Sequence, residues 1–354
     1  MVTLYLTPSP ENTKAMGRIR WQDGIPYLGN SGSYLEFVLT ASYLTAELDT
    51  RKGSTGGEYD TWLSLRIDGE ERAFSLREGT AEYPLFQWES PRTVMVRLLK
   101  RSESGYGNTG VIGFSTDAAV LTPTADRPRR IQFVGDSITC GFGCEQKDGE
   151  LFDTAGENCG ASYAIRTAQI LEADWHLVAQ SGIGIYSSCV EEGATQPNTR
   201  CLMPSLYRYT DLSCDEIRGW KPEIWDNTRW QPQLVVINLG TNDALFAGNH
   251  PDRVQQFGEA YAAFLRQAAA ANPGAKLLGV MGVMDGRLCE EAQRRADALY
   301  AAGLPVHFYR QTPQKAEDGI GAAGHPSVFT HEKSAKELAE VIRQLMRWDA
   351  PQSH

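Results

Sequence analysis

The chain has 354 residues, 42% hydrophobic and 22% charged, with a formal net charge of −10. That length predicts two domains, or one enlarged domain, and the composition excludes disorder and coiled coil. The acidic balance argues against nucleic acid or an anionic membrane as partner, because phosphate binding needs a basic face.

No apolar run approaches the roughly 20 residues that span a bilayer. The first residues lack the basic and apolar regions of a secretory signal, although a chain trimmed of its signal reads the same. The seven cysteines are an odd number without CxxC spacing. They predict free thiols in a reducing compartment, with neither disulfides nor zinc, so the expected location is cytoplasmic.

Residues 1–121 read as β. Strand-like runs at 35–39, 62–67, 94–99 and 111–114 are separated by turn clusters at 29–32 and 51–57. Asp68-Gly69 between two runs predicts a tight hairpin. No amphipathic helix appears before residue 122, so the expected architecture is an all-β sandwich of jelly-roll type. A polar connector punctuated by Pro123 and Pro128 follows. It sets the expected division into a sandwich over 1–125 and a second domain over 126–354.

Beyond the connector, apolar runs at 131–134, 176–179, 234–239, 276–283 and 306–309 predict strands. Helical patterns at 162–172, 252–271 and 288–301 lie between them. A last helix, capped by Thr330, carries the stripe Ala335, Leu338, Ala339, Ile342, Leu345 and Met346. Such alternation predicts an α/β domain with a parallel sheet covered on both faces. Residues 183–230 lack periodicity but are rich in aromatics, which predicts an ordered insertion bordering the site.

Polar groups cluster where these strands end, the place where open α/β sheets bind ligands. Gly135-Asp136-Ser137 follows the first strand, and Ser137 reads either as a nucleophile or as a helix N-cap. After the second strand, Gly182 or Gly184 offers a backbone N–H, or simply makes a turn. Asn242, in Gly240-Thr241-Asn242-Asp243, offers an amide donor or caps a helix. His325, held before Pro326, is a candidate general base. His331 reads as a helix residue and not as a second base. Together these supply what acyl transfer from an ester needs: a nucleophile, a base and donors for the oxyanion.

In this order the four blocks resemble those of the SGNH (GDSL-like) hydrolase superfamily, over residues 130–348. The sandwich ahead of them, the wording around Gly135-Asp136-Ser137, and the run from Trp230 to Asp243 resemble carbohydrate esterase family 2. The resemblance implies a flavodoxin-like α/β/α sandwich behind a jelly roll. It also implies a deacetylase of xylan, glucomannan or similar acetylated sugars that works without metal or cofactor. Ser137 would attack and His325 act as base, while the Ser137 and Gly182 N–H groups and Asn242 hold the oxyanion. Asp136, Trp225 and Trp230 are the candidate substrate contacts, the tryptophans by stacking on a sugar unless they pack in the core. The superfamily places an aspartate three residues before the histidine, and here that position is Ala322. Either a backbone carbonyl orients His325, giving a dyad, or Asp318 or Glu317 reaches in. Two other functions stay open: a lipase or thioesterase of the same superfamily acting on longer acyl esters, and a catalytically idle carbohydrate-binding protein.

Overall fold

The computed structural model describes residues 3–53 and 59–348, so most of the turn cluster expected at 51–57 lies outside the described residues. No helix among them is long and apolar enough to cross a membrane. The chain divides into two compact units. The first comprises Met1–Asp126, Asp153–Ala155 and Thr210–Glu223, and the second comprises the remainder.

The first unit holds β1 (Leu4–Leu6), β2 (Lys14–Met16), β3 (Arg20–Gln22), β4 (Ile25–Leu28), β5 (Tyr34–Lys52), β6 (Thr61–Ile67), β7 (Glu70–Leu76), β8 (Gly79–Lys100), β9 (Gly107–Thr116) and β10 (Thr122–Pro123). All pair antiparallel, in the order β3-β4-β9-β5-β8-β6-β7, with β1 on β9 and with β2 and β10 on β5. β5 and β8 are long, and register shifts near Ala41 and Leu44 let them bend as they pair. Phe37, Leu48, Leu65, Val96 and Phe114 fill the core between them. The predicted hairpin joins β6 to β7, with Asp68 at φ 47° and Gly69 at φ 100°, the positive values that a two-residue turn of this hand requires.

The second unit begins with β11 (Arg129–Gly135), α1 (Ser137–Cys140), α2 (Tyr163–Ile170), β12 (Ala173–Ala179) and α3 (Met203–Leu206). After α4 (Leu212–Arg218), which belongs to the first unit, come β13 (Leu234–Asn238), α5 (Thr241–Ala247), α6 (Pro251–Ala271), β14 (Lys276–Met281), α7 (Cys289–Ala301), β15 (Val306–Arg310) and α8 (Val328–Met346). The five strands form one parallel sheet, ordered β12-β11-β13-β14-β15. The near-continuous apolar runs of β12, β13 and β14 are buried on both faces, as parallel strands require, while the edge strand β15 is partly exposed. Phe257, Tyr261, Phe264, Leu265 and Ala268 of α6 pack into that core. α8 is capped three residues before the expected Thr330. Its cap is Ser327, whose hydroxyl accepts the Thr330 N–H at 3.2 Å, because the acceptor must precede the amide it satisfies.

β11 has β12 on one side and β13 on the other, so the strand order reverses at its carboxyl end. That end is the crevice of an open α/β sheet. Gly135 closes β11, and Asp136 and Ser137 stand directly beyond it.

The segment 210–223 lies outside the linear division at 125. Asp211 caps α4 by accepting the Cys214 N–H at 2.9 Å and takes the Ser104 hydroxyl at 2.8 Å. Arg20 pairs with Asp215 and Arg218 with Asp49, all with little side-chain exposure. Charges paired across almost two hundred positions leave no local pattern in a sequence.

Candidate active site

Asp136 and Ser137 divide the two roles that the sequence left open for Ser137. Asp136 is the N-cap of α1, its carboxylate accepting the Ile138 N–H at 3.0 Å. With the cap filled, the Ser137 hydroxyl is released from helix duty, and it lies 2.8 Å from His325 Nε2. The two residues are 188 positions apart in the chain. Asp136, a candidate substrate contact in the sequence, is fully buried and lies beneath the serine as a cap. Burial, with the nearby Asp243 carboxylate adding to it, pushes Asp136 up to about 7 against the pull of the Ile138 N–H.

His325 follows a short turn, Ala322–Gly324, in which Ala323 takes left-handed angles (φ 51°, ψ 37°). That conformation strains an L-residue by about 1–2 kcal/mol. It points the Ala322 carbonyl back at the ring, 3.1 Å from Nδ1. Burial pulls the His325 pKa below its ordinary value, opposed by the Ala322 and Ala323 backbone groups, so the ring is neutral near pH 7 and available as a base. Neither acid weighed as a third member reaches it. Asp318 is paired with Lys333 at 2.6 Å, and Glu317 with Lys315 at 3.4 Å. Loss of an orienting acid in a triad costs about 10⁴-fold in kcat. Asp318→Asn and Glu317→Gln are therefore expected to change kcat by less than about threefold, since neither touches the imidazole; steady-state rates of the two variants check this.

Gly182 lies at φ +75°, where a side chain is strained. Among the described residues, neither its N–H nor that of Ser137 has a protein acceptor. Gly184, the other candidate, gives its N–H to Ser188 Oγ at 3.3 Å. Asn242 sits in the first turn of α5, with its amide donating to the Ile183 carbonyl at 2.9 Å and facing Asp136 Oδ2 at 3.4 Å. Asp243 beside it gathers three backbone N–H groups, from Ile185 at 3.1 Å, Tyr186 at 2.7 Å and Ser187 at 2.9 Å. One carboxylate thus pins the chain that follows Gly182 to the end of β13. Even so, burial pushes Asp243 up to about 6.

Trp225 and Trp230 are not brought to this pair. Trp230 stacks on His176 at 3.7 Å between ring centroids, and Trp225 meets the same ring edge-on at 5.8 Å. His176 is aligned with Gln132 of β11, five residues before Ser137, and Trp225 is only 5% exposed. Trp225 thus packs in the core, one of the two expectations, whereas Trp230 stays partly exposed on its stack with His176. His331 lies inside α8, buried, where Nδ1 accepts the Tyr163 N–H at 3.2 Å and burial drives its pKa down to about 3.

What the sequence reading missed is aromatic. Phe142 lies against His325, ring centroids 4.6 Å apart, and its other neighbour Phe152 stacks on it at 3.7 Å, nearly parallel. The signal was a phenylalanine set between Gly141 and Gly143.

Residues 133–348 match the GDSL-like Lipase/Acylhydrolase family, and residues 15–124 match the carbohydrate esterase 2 N-terminal domain. Among curated proteins, a cellulase/esterase from Acetivibrio thermocellus is 31% identical over 97% of this chain, which spans 41% of that relative's length. An acetylxylan esterase / glucomannan deacetylase from Cellvibrio japonicus is 30% identical over 80% of this chain and 81% of its own. An acetyl xylan esterase from Butyrivibrio proteoclasticus shares the fold, with a TM-score of 0.88 at 24% identity over 98% of this chain and 100% of that one. The chain belongs to the GDSL-like lipase/acylhydrolase family, its hydrolase domain preceded by the N-terminal domain of family 2 carbohydrate esterases.

Proposed function

We propose that the chain is a serine esterase that removes O-acetyl groups from xylan- or glucomannan-type polysaccharides or oligosaccharides. The observation that carries this reading is the 2.8 Å contact between Ser137 Oγ and His325 Nε2 at the crevice of the sheet. The names of the Cellvibrio japonicus relative support the substrate class. Catalysis is assigned to the segment from 126 onward, since all the proposed groups lie between Ser137 and His325.

His325, neutral and held by the Ala322 carbonyl, takes the Ser137 proton as Oγ attacks the acetyl carbonyl. The Ser137 and Gly182 N–H groups receive the developing oxyanion together with the Asn242 amide. That amide's contact with Asp136, at 3.4 Å, is long enough to exchange for a better acceptor. His325 then gives the proton to the departing sugar hydroxyl, and water repeats the sequence on the acetyl-serine. Ser137 and His325 thus work as a dyad, in which a backbone dipole replaces the acid. Removing one oxyanion donor costs about 10²–10³ in kcat, so Asn242→Ala is expected to fall in that range with KM little changed.

The deciding experiment measures acetate released from acetylated xylan, glucomannan and monosaccharides, beside nitrophenyl acetate and octanoate. Preference for acetyl supports the sugar esterase, and preference for octanoyl supports a lipase-type activity. No hydrolysis of any ester leaves a binding protein.

A further inference from the structure

We propose that Phe142, backed by Phe152, is a positioning residue for His325, fixing by packing the ring plane that a third acid would otherwise fix by charge. The inference rests on the Ser137–His325 reading. Nδ1 meets neutral backbone groups, the Ala322 carbonyl at 3.1 Å with Ala323 beside it, and no carboxylate among the described residues bonds to it. Such backbone contacts set a direction but leave the ring free to rock about it. Phe142 closes that freedom: its ring lies 4.6 Å from the imidazole at 40°, and Phe152 stacks behind it at 3.7 Å and 8°.

The ladder is rigidly mounted. Phe142 stands between Gly141 (φ 74°) and Gly143 (φ 55°), directly after α1. Backbone bonds tie this loop to the histidine loop: Ala322 N–H to Gly143 O at 3.1 Å, Val328 N–H to Cys144 O at 3.2 Å, and Asp148 N–H to Ile320 O at 2.9 Å. A side chain at Gly143 would come within 2.6 Å of the Ala322 Cβ, so the two loops touch at the glycine beside Phe142. The same ladder covers the imidazole from water, and burial is the chief reason its pKa lies low.

The charges around it are otherwise engaged. On the histidine's own loop Asp318 holds Lys333 and Glu317 holds Lys315. On the facing loop Glu145 takes the Asn158 amide at 2.6 Å and Glu150 the Lys147 N–H at 3.0 Å. Asp136 lies beneath the serine as a cap, and His331 of α8 stays neutral. Opening the ladder therefore hydrates the ring without exposing it to a new counter-charge, and hydration favours the imidazolium.

The test is the pH dependence of kcat/KM for nitrophenyl acetate with the full chain. In Phe142→Leu the acid limb is expected to move up by about 0.5 pH unit and kcat to fall about tenfold, with KM nearly unchanged. Phe152→Tyr, which keeps a ring in the stack, should restore the parent profile, whereas Phe152→Ala should shift it in the same sense as Phe142→Leu. If Phe142→Leu does not fold, Phe152→Ala carries the test. An acid limb that stays at the parent position in whichever of these two variants is folded overturns the proposal, whatever happens to kcat. If the parent shows no Ser137-dependent hydrolysis, the esterase reading fails instead, before any variant is compared.

Discussion

Ser137→Ala is expected to lower acetate release by about 10⁴–10⁶-fold while leaving the melting curve of the protein unchanged. The hydroxyl is the only atom removed, and its bond is to His325, not to the helix it begins. The Asp136 cap keeps α1 in place, so the loss reports chemistry and not folding. His325→Ala is expected to cost a similar factor, and the double variant no more than either single one, because the two groups act as one unit. Rates of acetate release by the three variants measure this. A Ser137→Ala enzyme that still hydrolyses at the parent rate would make another residue the nucleophile.

The second large effect is expected at Asp243. Its carboxylate is fully buried and accepts the N–H groups of Ile185, Tyr186 and Ser187. Asp243→Ala strands all three, at a cost of about 3–9 kcal/mol in stability, since each buried donor left without a partner costs about 1–3 kcal/mol. Asp243→Asn keeps one acceptor oxygen and should fall between. Burial raises the pKa of Asp243 from 3.8 to about 6 in the folded chain. A raised carboxylate adds stability that is complete below pH about 4 and is lost as pH climbs through 6. The deficit of the alanine variant is therefore expected to be larger at pH 5 than at pH 7.5, as read from denaturant melts at the two values. Activity should fall with it, because the chain that Asp243 pins follows Gly182 directly. An alanine variant as stable and active as the parent would remove Asp243 from this role.

The reach of the sequence differs from one part of the molecule to another for physical reasons. Buried parallel strands advertise themselves as apolar runs, and amphipathic helices as stripes, so β11 to β15 and α6 to α8 were legible. Glycines and polar residues at strand ends marked the positions of Ser137, Gly182 and Asn242, because a parallel sheet gathers those ends at one rim, and a histidine held before a proline ahead of the last helix marked His325. The capping role of Asp136 was written in its place, since an Asp directly before a helix caps it, and went unread. The tryptophans were illegible because their fate depends on the alignment of β12 with β11, which brings His176 beneath them. Phe142 and the Ala322 carbonyl were illegible for a similar reason. One is a ring and the other a backbone atom, and neither has a residue type that suggests catalysis.

The helix at 212–218 bears on how the protein is made. A ribosome delivers residues 1–126 well before it delivers Asp215 and Arg218, so Arg20 and Asp49 wait for their counter-ions while nearly a hundred further residues are synthesised. The β-rich unit therefore cannot finish until the chain has been made as far as Glu223. A gene cut at codon 126 would yield an unfinished piece: its strands would be present, but a buried arginine and a nearly buried aspartate would face no opposite charge.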